Sequence, residues 1–239
     1  MCPSARKRKK GLSEWGKVWY NKKKNIRFGG IDMLIAPGER IVFFGDSLTW
    51  RTDLNESAIP ARRYQLDYSG SYVNILTKRL LIHFPELEFT FYNCGVGGDT
   101  IRHLLERYAR DVLPLKPTLM ILWIGQNDAK NWEPERFAKG VRCLLEWCRQ
   151  DQIRVVALTT SAHRSHQKML ALDQADEILA QICGEFDVGL VDVKTPMRKV
   201  MEYNRQAEYP IQLFTTGSHL SELGNMLIAD AVFDYLCAH

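Results

Sequence analysis

A chain of 239 residues, 46% hydrophobic and 25% charged, has the size and balance of one globular domain with a full core of its own. No apolar run nears the roughly 18 residues that a membrane-spanning helix needs. The basic start leads into polar residues rather than an apolar export segment, so a cytoplasmic protein is expected.

The first 24 residues hold nine Lys or Arg against Glu14 alone, a net +8 that leaves −4 for the rest of a chain whose total is +4. Such an arm suits contact with an anionic surface, nucleic acid or acidic membrane. The plainer expectation is a solvated tail, with Trp15, Trp19 and Tyr20 interrupting the charges as docking points. Residues 1–30 read as an appendage closed by Gly29-Gly30, and residues 31–239 as the domain.

Strands and helices then alternate. Arg40 to Phe44 is β-branched and aromatic, a strand type. The polar stretch from Arg51 to Tyr68 is too long for a tight loop and is expected to lie over a site. Ser71 to Phe84 has helical spacing and stops before Pro85. Phe89 to Tyr92 is a second strand, and Asp99 reads as the N-cap of the next helix. Leu119 to Ile124 is almost wholly apolar, as a central parallel strand covered on both sides should be. Pro134 opens a helix; Arg154 to Leu158 is a fourth strand, Met169 to Cys183 a helix, Val188 to Val191 a fifth strand. A last helix runs from about Ser221 to Cys237. Alternation of this kind predicts an α/β fold, a five-stranded parallel sheet in the flavodoxin-like order 2-1-3-4-5 with helices on both faces. Its switch point lies between the strands that lead to Ser47 and Asn127. The six cysteines show no CxxC pair and no close histidine partner, so zinc spacing is absent and small buried hydrophobes are expected.

Four segments carry chemistry. Gly45-Asp46-Ser47-Leu48-Thr49 puts a hydroxyl in a tight turn just past the first strand, where it is a nucleophile only if a base takes its proton. Asn93 to Thr100 joins a strand to a helix through three glycines; its backbone N–H groups can face an anion, yet it is neither a P-loop nor GxGxxG with a downstream acid. Gly125-Gln126-Asn127-Asp128 ends the most apolar strand with a neutral amide, the donor an oxyanion hole uses. His219 lies just before the last helix; His163 and His166, after the fourth strand, compete with it for the role of base.

Together these segments resemble the Ser, Gly, Asn and His blocks of the GDSL, or SGNH, hydrolase family, over about residues 34–237 and with framework words such as Asp111-Val112-Leu113 and Lys116-Pro117. The nearest branch is similar to lysophospholipase-like and carbohydrate acetylesterase-like members. The resemblance implies a three-layer α/β/α fold with no metal and no cofactor. It implies Ser47 as nucleophile, His219 as base, and an oxyanion hole of the Ser47 and Gly98 backbone N–H groups with the Asn127 side chain. The small-molecule substrate implied is an acyl ester, acetyl on a carbohydrate first.

One departure stands out. The family usually carries Asp three residues before the histidine, where this chain has Thr216, and the usual Pro after it is Leu220. A Ser–His dyad with the imidazole held by a backbone carbonyl is one expectation, and Asp192 at the end of the fifth strand is a less favoured substitute acid. Two alternatives to the esterase stay open: a non-catalytic binding module on the same fold, and a lysophospholipase working at an anionic lipid surface.

Overall fold

The structure, a computed structural model, describes residues 26–28, 31–49, 62–63, 70–163, 165–206, 212–216 and 219–237. In chain order it contains β1 (Ile26–Phe28), β2 (Ile31–Met33), β3 (Arg40–Gly45), β4 (Arg62–Arg63), α1 (Tyr72–His83), β5 (Thr90–Gly95) and α2 (Ile101–Asp111). There follow β6 (Leu119–Trp123), α3 (Pro134–Gln150), β7 (Arg154–Leu158), α4 (His166–Phe186), β8 (Gly189–Val191), α5 (Lys194–Asn204), β9 (Phe214–Thr216), β10 (His219–Leu220) and α6 (Glu222–Cys237).

The central sheet runs β4-β5-β3-β6-β7-β8. Five of its strands are parallel and follow the expected order; β4 adds a short antiparallel edge, Arg62 opposite Asn93 and Arg63 opposite Tyr92. Side chains on β3 and β6 alternate between two apolar layers because successive residues of a strand point to opposite faces. Ile41, Phe43, Ile121 and Trp123 pack with Leu76, Leu80, Met197, Ile228 and Val232 of α1, α5 and α6. Val42, Phe44, Met120 and Leu122 pack with Leu104, Val141, Leu144 and Leu179 of α2, α3 and α4. Each such buried side chain contributes about 1.5–3 kcal/mol relative to exposure. The result is a three-layer α/β/α arrangement, and the two central strands, buried from both sides, have no room for polar residues until they reach the carboxyl edge.

Several expectations are refined. The N-cap of α2 is Thr100, not Asp99; its side chain forms a capping box with His103, while Asp99 has been drawn inward by a buried arginine described below. Helix α4 starts at His166 behind Ser165, whose hydroxyl accepts from the Lys168 N–H. Helix α5 and the β9–β10 hairpin lie outside the elements that the sequence pattern predicts. Of the stretch Arg51 to Tyr68, expected to lie over a site, only Arg62 and Arg63 are described and the rest lies outside the described residues. The arm of residues 1–24 lies outside them too. Around the expected boundary at residue 30, β1 and β2 pair antiparallel, Met33 and Ile35 are fully buried, and the Leu34 N–H donates to the Leu236 carbonyl at 2.9 Å. The start of the expected domain therefore enters the core within a few residues of the boundary. Cys94, Cys148 and Cys183 are buried free thiols, as expected.

Candidate active site

Strand β3 ends where only glycine fits. A Cβ on Gly45 would stand 2.4 Å from the Trp123 carbonyl oxygen and 2.6 Å from the Thr49 Oγ1. The chain then turns: the Thr49 N–H donates to the Asp46 carbonyl (3.1 Å) and the Leu48 N–H to Asp46 Oδ1 (2.9 Å). With Asp46, Leu48 and Thr49 all buried, Ser47 is the half-exposed residue of the turn. Thr49 anchors it from below through its Oγ1, 3.2 Å from the Tyr72 hydroxyl, and Tyr72 lies edge-on against Trp123.

The loop after β5 is laid against this turn. The Val96 N–H donates to the Gly45 carbonyl (3.1 Å), and Asn93 donates from Nδ2 to the Thr49 carbonyl (2.8 Å). Gly98 adopts φ +83°, in the left-handed region that favours glycine, and is exposed. Next to it Asp99 accepts from Arg107 Nε at 2.6 Å. Arg107, buried on α2, also donates to the Gly45 carbonyl (3.0 Å) and to Asp111 (3.3 Å). One guanidinium thus joins the end of β3, the glycine loop and the helix that follows.

Asn127, just beyond β6, completes the junction. Its Nδ2 donates to Asp46 Oδ2 (3.2 Å) and to the Asp99 carbonyl (3.1 Å). The residue before Ser47 and the residue after Gly98 therefore meet on a single side-chain amide. Asp128 accepts from the Ile101 N–H with both carboxylate oxygens, 3.1 and 3.3 Å away, a favourable charge at a helix N-terminus. Three acids crowd this corner. Burial pushes Asp46 up to about 7, opposed by the Leu48 N–H and reinforced by Asp128 and Asp99. Burial likewise takes Asp128 up to about 6. It raises Asp99 too, against the pull of Arg107. Desolvation and Lys130 hold Lys168 below the usual lysine range.

His219 is exposed and starts β10, paired in register with Thr216 of β9. The hairpin is pinned to α6: the Ser221 N–H donates to the Leu213 carbonyl (2.8 Å), and a Cβ on Gly224 would fall 2.5 Å from that same oxygen. Helix α6 reaches the nucleophile turn through Asn225, whose Oδ1 accepts from the Tyr72 N–H (2.9 Å). The structure thus bonds the Ser47, Gly98 and Asn127 segments into one network and attaches the His219 segment to it through α6 and Tyr72. Asp192 accepts at Oδ1 from the Thr195 N–H (3.0 Å) and the Thr159 hydroxyl (3.4 Å). It serves the start of α5; burial works against its charge, but these bonds keep it below the ordinary carboxylate range. His163 accepts at Nδ1 from the Ser165 N–H (3.0 Å), and His166 opens α4. Asp46 and Arg107 carry structural weight that sequence reasoning missed. Asp46 had one available signal, its place beside the serine, whereas Arg107 had none, because a basic residue within a helix is ordinarily exposed.

The model of the GDSL-like lipase/acylhydrolase family matches residues 43–227. The chain belongs to this family. An acetylxylan esterase of Geobacillus stearothermophilus is 26% identical over 215 residues, 83% of this chain and 94% of that protein. A platelet-activating factor acetylhydrolase IB subunit alpha2 of Rattus norvegicus is 35% identical over only 69 residues, 28% of this chain and 30% of that one. Among solved structures, the Geobacillus esterase superposes with TM-score 0.73 at 23% identity, covering 84% of this chain and 95% of its own. An alpha/beta hydrolase from the metagenome of Lake Arreo, Spain, superposes with TM-score 0.74 at 22% identity, covering 85% and 97%. Variants of the Geobacillus esterase described as catalytic mutants replace a serine, an aspartate and a histidine by alanine, the latter two lying three residues apart. As a GDSL family member this chain is an ester hydrolase in class.

Proposed function

We propose that the chain is a serine esterase that removes small acyl groups, acetyl first, from carbohydrate esters through an acyl-enzyme. Ser47 attacks the ester carbonyl while His219 accepts its proton, and the tetrahedral oxyanion is held by the Ser47 and Gly98 N–H groups and the Asn127 amide. His219 then protonates the leaving alcohol, and a water activated by the same imidazole releases the acid and restores Ser47. The observation that carries this reading is the Asn127 amide bridging Asp46 and Asp99, because it joins the three loops at the sheet edge where ligands bind in such folds. The similarity to an acetylxylan esterase over 94% of that protein's length supports the acetyl and carbohydrate part. Thr216 stands opposite His219 in the hairpin, at the position where the family usually carries its acid, and in this reading a main-chain carbonyl orients the imidazole. Cleavage of p-nitrophenyl acetate and of acetylated xylo-oligosaccharides, together with labelling by a fluorophosphonate, tests the reading. Ser47→Ala should abolish both while leaving the thermal melt within a few degrees; full turnover in that variant would remove Ser47 from the nucleophile's role.

A further inference from the structure

A side-chain amide has two N–H bonds to give, and the amide of Asn127 faces two acceptors, Asp46 Oδ2 at 3.2 Å and the Asp99 carbonyl at 3.1 Å. If Asn127 is an oxyanion donor, as the proposed function has it, one of these partners must yield as negative charge develops on the substrate. The Asp99 carbonyl is a main-chain acceptor whose strength does not change with pH. Asp46 is different. As a carboxylate it holds the amide by a charge-assisted bond, roughly twice as strong as a neutral one, and sets a negative charge beside the forming oxyanion. As a neutral acid it is a weaker acceptor and adds no charge.

We propose that Asp46 is a positioning residue that meters the oxyanion donor: neutral Asp46 releases the Asn127 amide to the transition state, and ionised Asp46 retains it. The surroundings suit this role. Asp46 is 1% exposed, and the groups facing it come from five directions: the Leu48 N–H of its own turn, Asp99 from the loop after β5, Asp128 from the turn after β6, Lys168 from α4 and the Tyr72 hydroxyl from α1. Arg107 spends its charge on Asp99, Asp111 and the carbonyl of Gly45 rather than on this carboxyl. Burial and the two acids outweigh Lys168 and the turn N–H, which brings the change of state to about pH 7.

Two measurements on the full chain test this. The first is kcat on p-nitrophenyl acetate from pH 5.5 to 9 for the wild type and Asp46→Asn, taken as a ratio so that any pH dependence common to both forms divides out. Since one oxyanion donor is worth roughly 10²–10³ in kcat, wild-type kcat relative to Asp46→Asn should fall by about tenfold or more as Asp46 ionises, with KM little changed. A ratio that stays constant with pH is the signature of a merely structural residue and overturns the proposal. The second needs only the wild type: the Asn127 side-chain amide resonances should shift with a midpoint near 7. An amide insensitive to pH over that range overturns the proposal even if the Asn variant misfolds. If turnover and fluorophosphonate labelling are absent while the amide still titrates, the esterase reading fails and the Asp46–Asn127 coupling stands.

Discussion

Position 216 holds Thr where the resemblance to the family puts an Asp. Thr216 pairs in register with His219 across the β9–β10 hairpin, so a carboxylate introduced there starts from the strand position opposite that of His219. An acid beside the base fixes its tautomer and stabilises the imidazolium formed during acylation. Thr216→Asp should therefore raise kcat on p-nitrophenyl acetate roughly tenfold or more and move the acid limb of the pH–rate profile to higher pH. A clear loss of activity with the melt unchanged would mean that another group already orients His219. The residues that offer chemistry by type, Ser47, Gly98, Asn127 and His219, were legible in the sequence because a hydroxyl, a flexible backbone, a neutral amide and an imidazole are each distinctive in such turns. Asp46 was not legible as a partner of Asn127, since an acid before a serine in a turn already has a local explanation in the Leu48 N–H it accepts.

Between elements, Arg107 has the largest task. Its guanidinium spans the Gly45 carbonyl, Asp99 and Asp111 and lies 4.4 Å over the Phe44 ring, with side-chain exposures of 7% for Arg107, 11% for Asp99 and 1% for Asp111. Removing one member of a buried ion pair costs about 3–5 kcal/mol because the partner's charge is left uncompensated. Arg110 also pairs with Asp111, which offsets part of that loss. Arg107→Met, which keeps most of the apolar stem, should lower unfolding free energy by about 3 kcal/mol in a urea titration, and a loss under about 1 kcal/mol would show that the ion pairs contribute little. The same arginine explains the misplaced helix start: Asp99 had the propensity for an N-cap, but the tertiary pairing claimed it and Thr100 took the cap. The parallel strands and long helices were readable from apolar periodicity alone. Helix α5 was not, since Lys194–Asn204 presents Met197 to the core amid mostly polar residues and carries Pro196 near its start. The β9–β10 hairpin has only a few residues per strand and is held by α6 rather than by its own pattern.

For the whole molecule, the described site residues fall between Gly45 and Asp128 and at His219, on a sheet whose order follows from the alternation of strands and helices. Just past the expected division at residue 30, Met33 and Ile35 are fully buried and Leu34 is bonded to the last turn of α6. Two truncations separate the basic arm from this attachment. Removing residues 1–24 takes away nine basic side chains and none of the site, so kcat on soluble esters and the thermal melt should stay close to those of the full chain. Binding to acidic liposomes at low salt should weaken with the same deletion if the arm contacts an anionic surface, since such contacts are screened within about 10 Å at 0.1 M salt. Equal binding by both forms would leave the arm a solvated tail. Removing residues 1–33 should behave differently, because it also deletes Met33 from between the sheet and α6. Loss of a buried methionine side chain costs about 2–5 kcal/mol, so the shorter form should melt well below the 1–24 deletion. Identical melts for the two truncations would place the domain boundary after residue 33 and make the β1–β2 hairpin dispensable.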